Sequence, residues 1–412
     1  MKPIFTSLSP NVEKDDLKLA LSFLFSPRKW QKGSSLGALE AYLKGFLGAK
    51  HSFIFNSGRT GFLAILRGLN LEAGSEVLIQ GFTCNALVNP LLWSGLKPIF
   101  VDISEATLNL DPSDLERKIG PKSRAVIVQH TFGLPADLER ITSICQKNNL
   151  ILIEDCAHSL GATYQGKKIG TFGKASFFSF GRDKIISSVY GGAVATNDDS
   201  LAEKIKKFQD ELDFPPNFWI VQQLLHPLLI NFFIAPLYYF GDLGKLCLIA
   251  LQKIGVLSKA VSEKEKRGER PSYLPKKMPN ALAALALNQL KKLEKFVAHQ
   301  KEIAAFYKKN LPKNFVLPRE QEGRVYLRYA VLCQNKETNK ILEGGRKERI
   351  FLDDGWRKTV IVPPDTNQEK MGYRPGSCPI SEEAAKNILN LPTHINLTEP
   401  MAKRIIELIK RA

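Results

Sequence analysis

Two hydrophobic rhythms take turns between residues 35 and 200. Apolar side chains fall at helical spacing over Ser35 to Leu47, Thr60 to Leu69, Ala86 to Trp93 and Asp137 to Lys147. Between them lie short apolar runs of strand length: His51 to Phe55, Glu76 to Gln80, Pro98 to Val101, Ala125 to Gln129, Leu150 to Ile153, Ser176 to Phe180 and Ala193 to Thr196. Strands separated by helices predict an α/β fold with a mostly parallel central sheet and helices on both faces. Ligands of such sheets gather at the carboxyl ends of the strands. Residues 281 to 310 read as strongly helical, and the remainder mixes short strands and helices, closing with a helix over Glu399 to Lys410. The expected division is an N-terminal arm (1–34), a large α/β domain (35–210), an insert (211–275) and a smaller C-terminal α+β domain (276–412).

Phe214 to Gly241 breaks this rhythm, because it contains no Asp, Glu, Lys or Arg. Pro227 and Pro236 are expected to cut it into two or three short helices and to argue against a transmembrane span. Lys245 to Lys277 then carries nine Lys or Arg against three Glu. One reading has these helices burying apolar faces in a dimer. The other lays residues 214–257 on a membrane surface, with Trp219, Tyr238 and Tyr239 at interfacial depth and the basic stretch favouring anionic lipid.

The chain has 412 residues, 44% apolar and 24% charged, an ordinary globular balance with room for two packed domains. Its net charge of +17 suits a solvated basic surface or an anionic partner. No nucleic-acid-binding module accompanies that charge, so nucleic acid is not expected as a partner. Six scattered cysteines without a CxxC pair predict neither a disulfide framework nor a metal site, and fit a reducing cytoplasm. The first residues, MKPIFTSLSPNVEKDD, lack the apolar core of a signal peptide.

Three places could carry chemistry. Asp155 follows the strand ILIE, where its carboxylate could enter a cleft and pair with a pyridinium nitrogen, or simply cap a helix. Lys184 follows the strand ASFF within Ser179-Phe180-Gly181-Arg182-Asp183-Lys184, and a cleft lysine of depressed pKa can bond an aldehyde. Asn56-Ser57-Gly58-Arg59-Thr60 sits at a strand-to-helix junction, where free N–H groups attract phosphate. An anion site, a carboxylate and a lysine in this order form the layout of a fold-type I pyridoxal-phosphate enzyme.

Longer stretches then narrow the reading: SGRTGFLAIL, SEVLIQGFTCNALVNPLLWSGLKPIFVDI, VQHTFGLPADLERI, IEDCAHSLGATYQGKKIGTFGKASFFSFGRDKIISSVYGGAVATND and NILNLPTHINLT. With these the chain resembles the DegT/StrS family of sugar aminotransferases. The resemblance implies pyridoxal 5'-phosphate as cofactor and a homodimer. It implies transfer of an amino group from a donor such as glutamate to a keto-sugar, usually nucleotide-linked, in amino-sugar and polysaccharide biosynthesis. It makes Lys184 the lysine that holds the cofactor and Asp155 the partner of the ring nitrogen. His158 lies beside the ring, Ser179 binds the phosphate, and Gly58 and Arg59 stand at the Gly-Thr pair whose amides hold it.

Three departures accompany the resemblance. Cys84 replaces the aromatic residue that stacks on the ring, with Phe82 a nearby candidate substitute. Leu-Pro-Lys-Lys-Met replaces a stretch whose Asn reaches the partner subunit's phosphate, leaving Lys276 or Lys277 for that contact. Tyr190 stands where Glu is common. A sugar dehydratase of the same fold would carry His in place of Lys184. A regulatory or membrane-associated protein without turnover would have lost cofactor-site residues.

Overall fold

The computed structural model describes residues 2–317, 319–333 and 335–412. Its centre is a seven-stranded sheet of β1 (His51–Phe55), β2 (Glu76–Gln80), β3 (Lys97–Val101), β4 (Ser123–Gln129), β5 (Ile151–Asp155), β6 (Ala175–Ser179) and β7 (Gly192–Thr196). The spatial order is β1-β7-β6-β5-β4-β2-β3. β7 runs antiparallel to both of its neighbours, and the other pairings are parallel. These strands and four of the helices among them lie within two residues of the positions that hydrophobic spacing predicts, whereas that spacing does not predict the helix Pro112–Lys118.

Strand side chains alternate between two cores because a strand repeats every two residues. Val126, Val128, Leu152 and Phe178 enter one core; Ala125, Ile127, Ile153 and Phe177 enter the other. The first is covered by α1 (Lys14–Leu24), α2 (Ser35–Leu47), α5 (Pro112–Lys118), α6 (Leu138–Lys147) and α10 (Asn280–Leu290). The second is covered by α3 (Gly58–Leu69), α4 (Asn85–Trp93) and α7 (Asp199–Glu211). Each large apolar side chain buried this way contributes roughly 1.5–3 kcal/mol.

The predicted helical run 281–310 divides at Lys291–Lys292. α10 stays on the sheet, while α11 (Leu293–Asn310) crosses to a separate C-terminal core. That core holds an antiparallel pair, β8 (Tyr329–Leu332) and β9 (Ile388–Leu391), with the helix α12 (Glu399–Arg411). Ile4–Phe5 of the N-terminal arm pairs in parallel with Ile350–Phe351.

The apolar insert departs from expectation. Helix α8 (Asn217–Leu229) passes through Pro227 and continues as a π-turn (Ile230–Ile234) and short turns to Phe240. The result is an unbroken helix of 24 residues, Asn217–Phe240. Asn231 Nδ2 donates to the Pro227 carbonyl at 2.8 Å. The wider π-turn just ahead of Pro236 relaxes the i−4 geometry its ring would violate. By length and composition this helix is long and apolar enough to cross a membrane, although 44% of its most apolar stretch is buried against the protein. Gly241 turns the chain into α9 (Leu243–Lys253), which packs back to form a helical hairpin.

Candidate active site

The carboxyl ends of the central strands open into a cavity of about 280 Å3. Lys184, Asp155, His158, Ser179, Gly58 and Arg59, the six residues singled out from sequence, all line it. Asp155 is the last residue of β5 and is paired in register with Gln129 on β4 and Phe177 on β6. Its Oδ1 accepts the Ala157 N–H at 2.9 Å, while Oδ2 accepts no hydrogen bond from the described residues. Burial pushes the carboxyl up to about 6, against the Ala157 hydrogen bond and the charges of Lys184 and His130.

Lys184 lies in the loop after β6, and the N-terminal arm holds that loop. Asn11 Nδ2 donates to the Lys184 and Ile185 carbonyls at 2.9 and 3.1 Å. Asp183 accepts the Leu8 and Ser9 N–H groups. Burial lowers the lysine below its ordinary value, and Cys84, Asp155 and Asp183 oppose that shift. A larger fraction of neutral amine follows near neutral pH.

Helix α3 begins at the cavity. Ser57 Oγ accepts the Thr60 N–H at 3.1 Å, so the amides of Gly58 and Arg59, without intrahelical acceptors, open toward the cavity. β7 passes so close that a Cβ on Gly192 would sit 2.5 Å from the Ser57 carbonyl carbon. The Gly191-Gly192 pair therefore permits strand and helix terminus to converge. Ser179 ends β6 beside Gly58.

His158 is neutral, because burial holds it well below the usual histidine range, with Lys184 and Arg328 adding to the effect. Its Nδ1 accepts the Phe132 N–H at 3.3 Å, so Nε2 carries the proton and is a donor. The ring stacks on Phe132 at 5.5 Å and meets the Trp356 edge at 5.0 Å. Phe82 lies behind this wall against Phe132 and Trp356, rather than on the cavity. The aromatic lining of the cavity comes from Phe132, Phe177, Tyr190 and Trp356.

The insert also contributes to the wall. Its return segment brings Ala260 and Val261 to the cavity. Arg182 Nη1 and Nη2 donate to the Ser258 carbonyl and hydroxyl at 2.7 Å, and Tyr190 Oη donates to the Lys259 carbonyl at 2.6 Å. Arg59 pairs with the fully buried Glu265 and lies over the Tyr190 ring. The Arg59 guanidinium is therefore already neutralised, leaving its backbone amide as the anion-binding group. Glu265 also accepts from Tyr273 Oη at 2.7 Å and from Ser262. Lys276 pairs with Asp213 and Lys277 donates to the Asp210 carbonyl, both outside this cavity.

Sequence reading misses Glu265, Arg328, Asp354 and Trp356. Arg328 and Asp354 form a buried ion pair at 3.4 Å on the cavity wall. One of the three Glu in the basic stretch and the Asp354-Gly355-Trp356 turn are the only local signals. A further buried group, His130, Glu154 and Cys156, is close enough to share an ion. Two of its members are engaged elsewhere: Glu154 accepts the N–H groups of Gly170, Phe172 and Gly173 at 2.7–2.8 Å, and His130 Nδ1 accepts that of Ala136 while its Nε2 faces Glu154 at 3.4 Å.

The chain is similar to known proteins. The model of the DegT/DnrJ/EryC1/StrS aminotransferase family matches residues 12–212 and 247–410, omitting 213–246 of the apolar insert. The GDP-perosamine synthase of Escherichia coli O157:H7 is 27% identical over 356 residues, covering 86% of this chain and 83% of that protein. A pleiotropic regulatory protein of Geobacillus stearothermophilus is 26% identical over 405 residues, covering 96% and 94%. The solved structure of Helicobacter pylori PseC, an aminotransferase involved in the biosynthesis of pseudoaminic acid, superposes with a TM-score of 0.76 at 25% identity, covering 100% of this chain and 99% of that one. Sequence motifs, sheet order and these matches agree that the chain belongs to the DegT/DnrJ/EryC1/StrS aminotransferase family.

Proposed function

We propose that the protein transfers an amino group from an amino acid donor, glutamate in the first instance, to a nucleotide-linked keto-sugar, using pyridoxal 5'-phosphate in the cavity described. One observation carries this reading: Lys184 and the unsatisfied oxygen of Asp155 line the same cavity as the amino end of α3.

The donor set fits the cofactor. Gly58 and Arg59 amides with the Ser179 hydroxyl suit its phosphate. Asp155 suits the ring N–H, and His158 Nε2–H suits the phenolic oxygen. When bound, pyridoxal phosphate supplies an aldehyde for the amino group and a ring that accepts electrons. Asp155 keeps the ring nitrogen protonated, and this new partner favours its ionised form. Lys184, partly deprotonated by burial, takes the proton from the donor α-carbon and returns one to the acceptor carbon. Phe132, His158 and Trp356 exclude water on one side. The protein works as a homodimer.

Borohydride reduction followed by peptide mass spectrometry tests the assignment. The expected result is a pyridoxyl adduct on Lys184, absent from Lys184→Ala, and a visible absorbance band that glutamate bleaches. An adduct on another lysine, or none, refutes it. A panel of nucleotide keto-sugars then identifies the acceptor.

A further inference from the structure

The hairpin of the 217–240 helix and α9 carries an apolar face that the protein leaves uncovered. α9 is largely apolar, with Lys245, Gln252 and Lys253 as its polar positions. Cys247, Leu248 and Leu251 pack on Ile230, Ile234 and Tyr238. Leu243, Leu246, Ile249 and Ile254, spaced at three to five residues, form the opposite, exposed stripe. On the longer helix Phe232, Phe233 and Phe240 are exposed as well. Exposure reaches 62% at Phe232, 61% at Phe233, 74% at Phe240, 61% at Leu246 and 71% at Ile254. Groups of large apolar side chains left exposed in this way mark interaction surfaces.

We propose that this hairpin is a membrane-surface anchor, which docks the enzyme on bilayers of anionic lipid. Charge selects the occupant. Within Phe214 to Ser262 the basic residues are Lys245, Lys253 and Lys259, and Asp242 is the sole acid. Lys245 and Lys253 stand exposed on α9 itself, and the Arg349 guanidinium lies over the Tyr239 ring at the patch border. Anionic headgroups complement this rim. A second copy of the chain does not, because a two-fold contact would set the same basic rim against itself.

The hairpin lies on the membrane rather than through it. The inner face of the long helix is tied to the body by polar bonds: Ser9 Oγ with His226 Nε2 at 2.9 Å, and Ser258 Oγ to Gln223 Oε1 at 2.7 Å. A span would expose those buried groups to hydrocarbon, and Asp242 at the tip suits headgroup depth. The outer aromatic and aliphatic side chains enter the interface while the inner face stays packed.

Flotation of the full-length protein with vesicles of phosphatidylcholine, with or without phosphatidylglycerol, tests the anchor. Wild type is expected to float with the anionic vesicles and to be released by high salt. Replacing Phe232, Phe233 and Phe240 together by Ser is expected to weaken partitioning by roughly a hundredfold or more. Lys245→Glu with Lys253→Glu weakens it at least roughly tenfold. These positions lie outside the cavity, so an unchanged pyridoxyl adduct on Lys184 verifies folding. The anchor is overturned if wild type stays with the unbound fraction, if the triple variant floats equally well, or if sedimentation shows that the triple variant splits an oligomer.

Discussion

At the cavity wall, charged side chains lie buried; on the insert hairpin, large apolar side chains lie in water. The two regions meet in one segment, Ser258 to Glu265, whose start follows the hairpin and whose end pairs with Arg59. The cavity tolerates buried charge because nearly every group has a partner: Arg59 with Glu265, Arg328 with Asp354, Arg182 with the Ser258 carbonyl. Asp155 and Lys184 are the exceptions, and the exceptions are the residues with chemistry to perform. The hairpin shows the converse: its inner stripe is satisfied and its outer stripe is not. In both places the unsatisfied groups, rather than the packed ones, mark where something else binds.

The sharpest way to break this contrast is to orphan a paired cavity charge. Glu265→Gln leaves the Arg59 guanidinium buried with no counter-charge and also weakens the acceptor of Tyr273 and Ser262. Removing one partner of a buried pair costs about 3–5 kcal/mol. Urea unfolding is expected to show that loss, and a midpoint within error of wild type would mean that the pair is already solvated.

Asp155→Asn acts in the opposite direction on stability. The carboxyl rises from 3.8 to about 6 on folding, chiefly through burial. Between those values the folded chain keeps a proton that the unfolded chain has released. The stabilisation is full below pH 3.8 and is lost as pH rises through 6, about 3 kcal/mol in all. Cofactor-free wild type should therefore lose stability across that window relative to the Asn variant, as read by thermal melts at pH 4 to 8. Turnover by the variant should fall by roughly 10²–10³-fold, the scale of losing one preorganised electrostatic contact. Parallel pH profiles of the two proteins would show that the carboxyl is not desolvated.

Local pattern reveals much of this. The strand runs need only a few consecutive apolar residues between turn signals, and that requirement is local, so all seven central strands are legible. The six site residues are legible because they fall at the ends of those strands within recognisable motifs. Arg328, Asp354, Trp356 and Glu265 reach the cavity through chain returns of 80 to 200 residues, and no periodicity records such a return. Phe82 is adjacent to Cys84 in sequence, yet its side chain points into the aromatic cluster behind the wall. Pro227 and Pro236 mislead because proline rules describe a regular α-helix, and here a π-turn lies between the two prolines.

The smallest effect tests the seam of the hairpin. Gly244 lies where α9 crosses the end of the long helix, and a Cβ there would fall on the Tyr238 ring and 2.7 Å from the Ile234 carbonyl oxygen. Alanine raises helix propensity by about 1 kcal/mol over glycine, whereas overpacking costs about 1–3 kcal/mol. Overpacking wins, because a backbone carbonyl cannot rotate away and the Tyr238 ring is wedged between Phe5 at 4.9 Å and Phe351 at 4.8 Å. Gly244→Ala should therefore loosen the hairpin by about 1 kcal/mol while leaving the cavity intact. Hydrogen exchange should quicken several-fold over 230–254 and stay unchanged at β5 and β6. Equal protection across 230–254 would show that the two helices do not touch there, and the outer apolar stripe would then lose its rigid support.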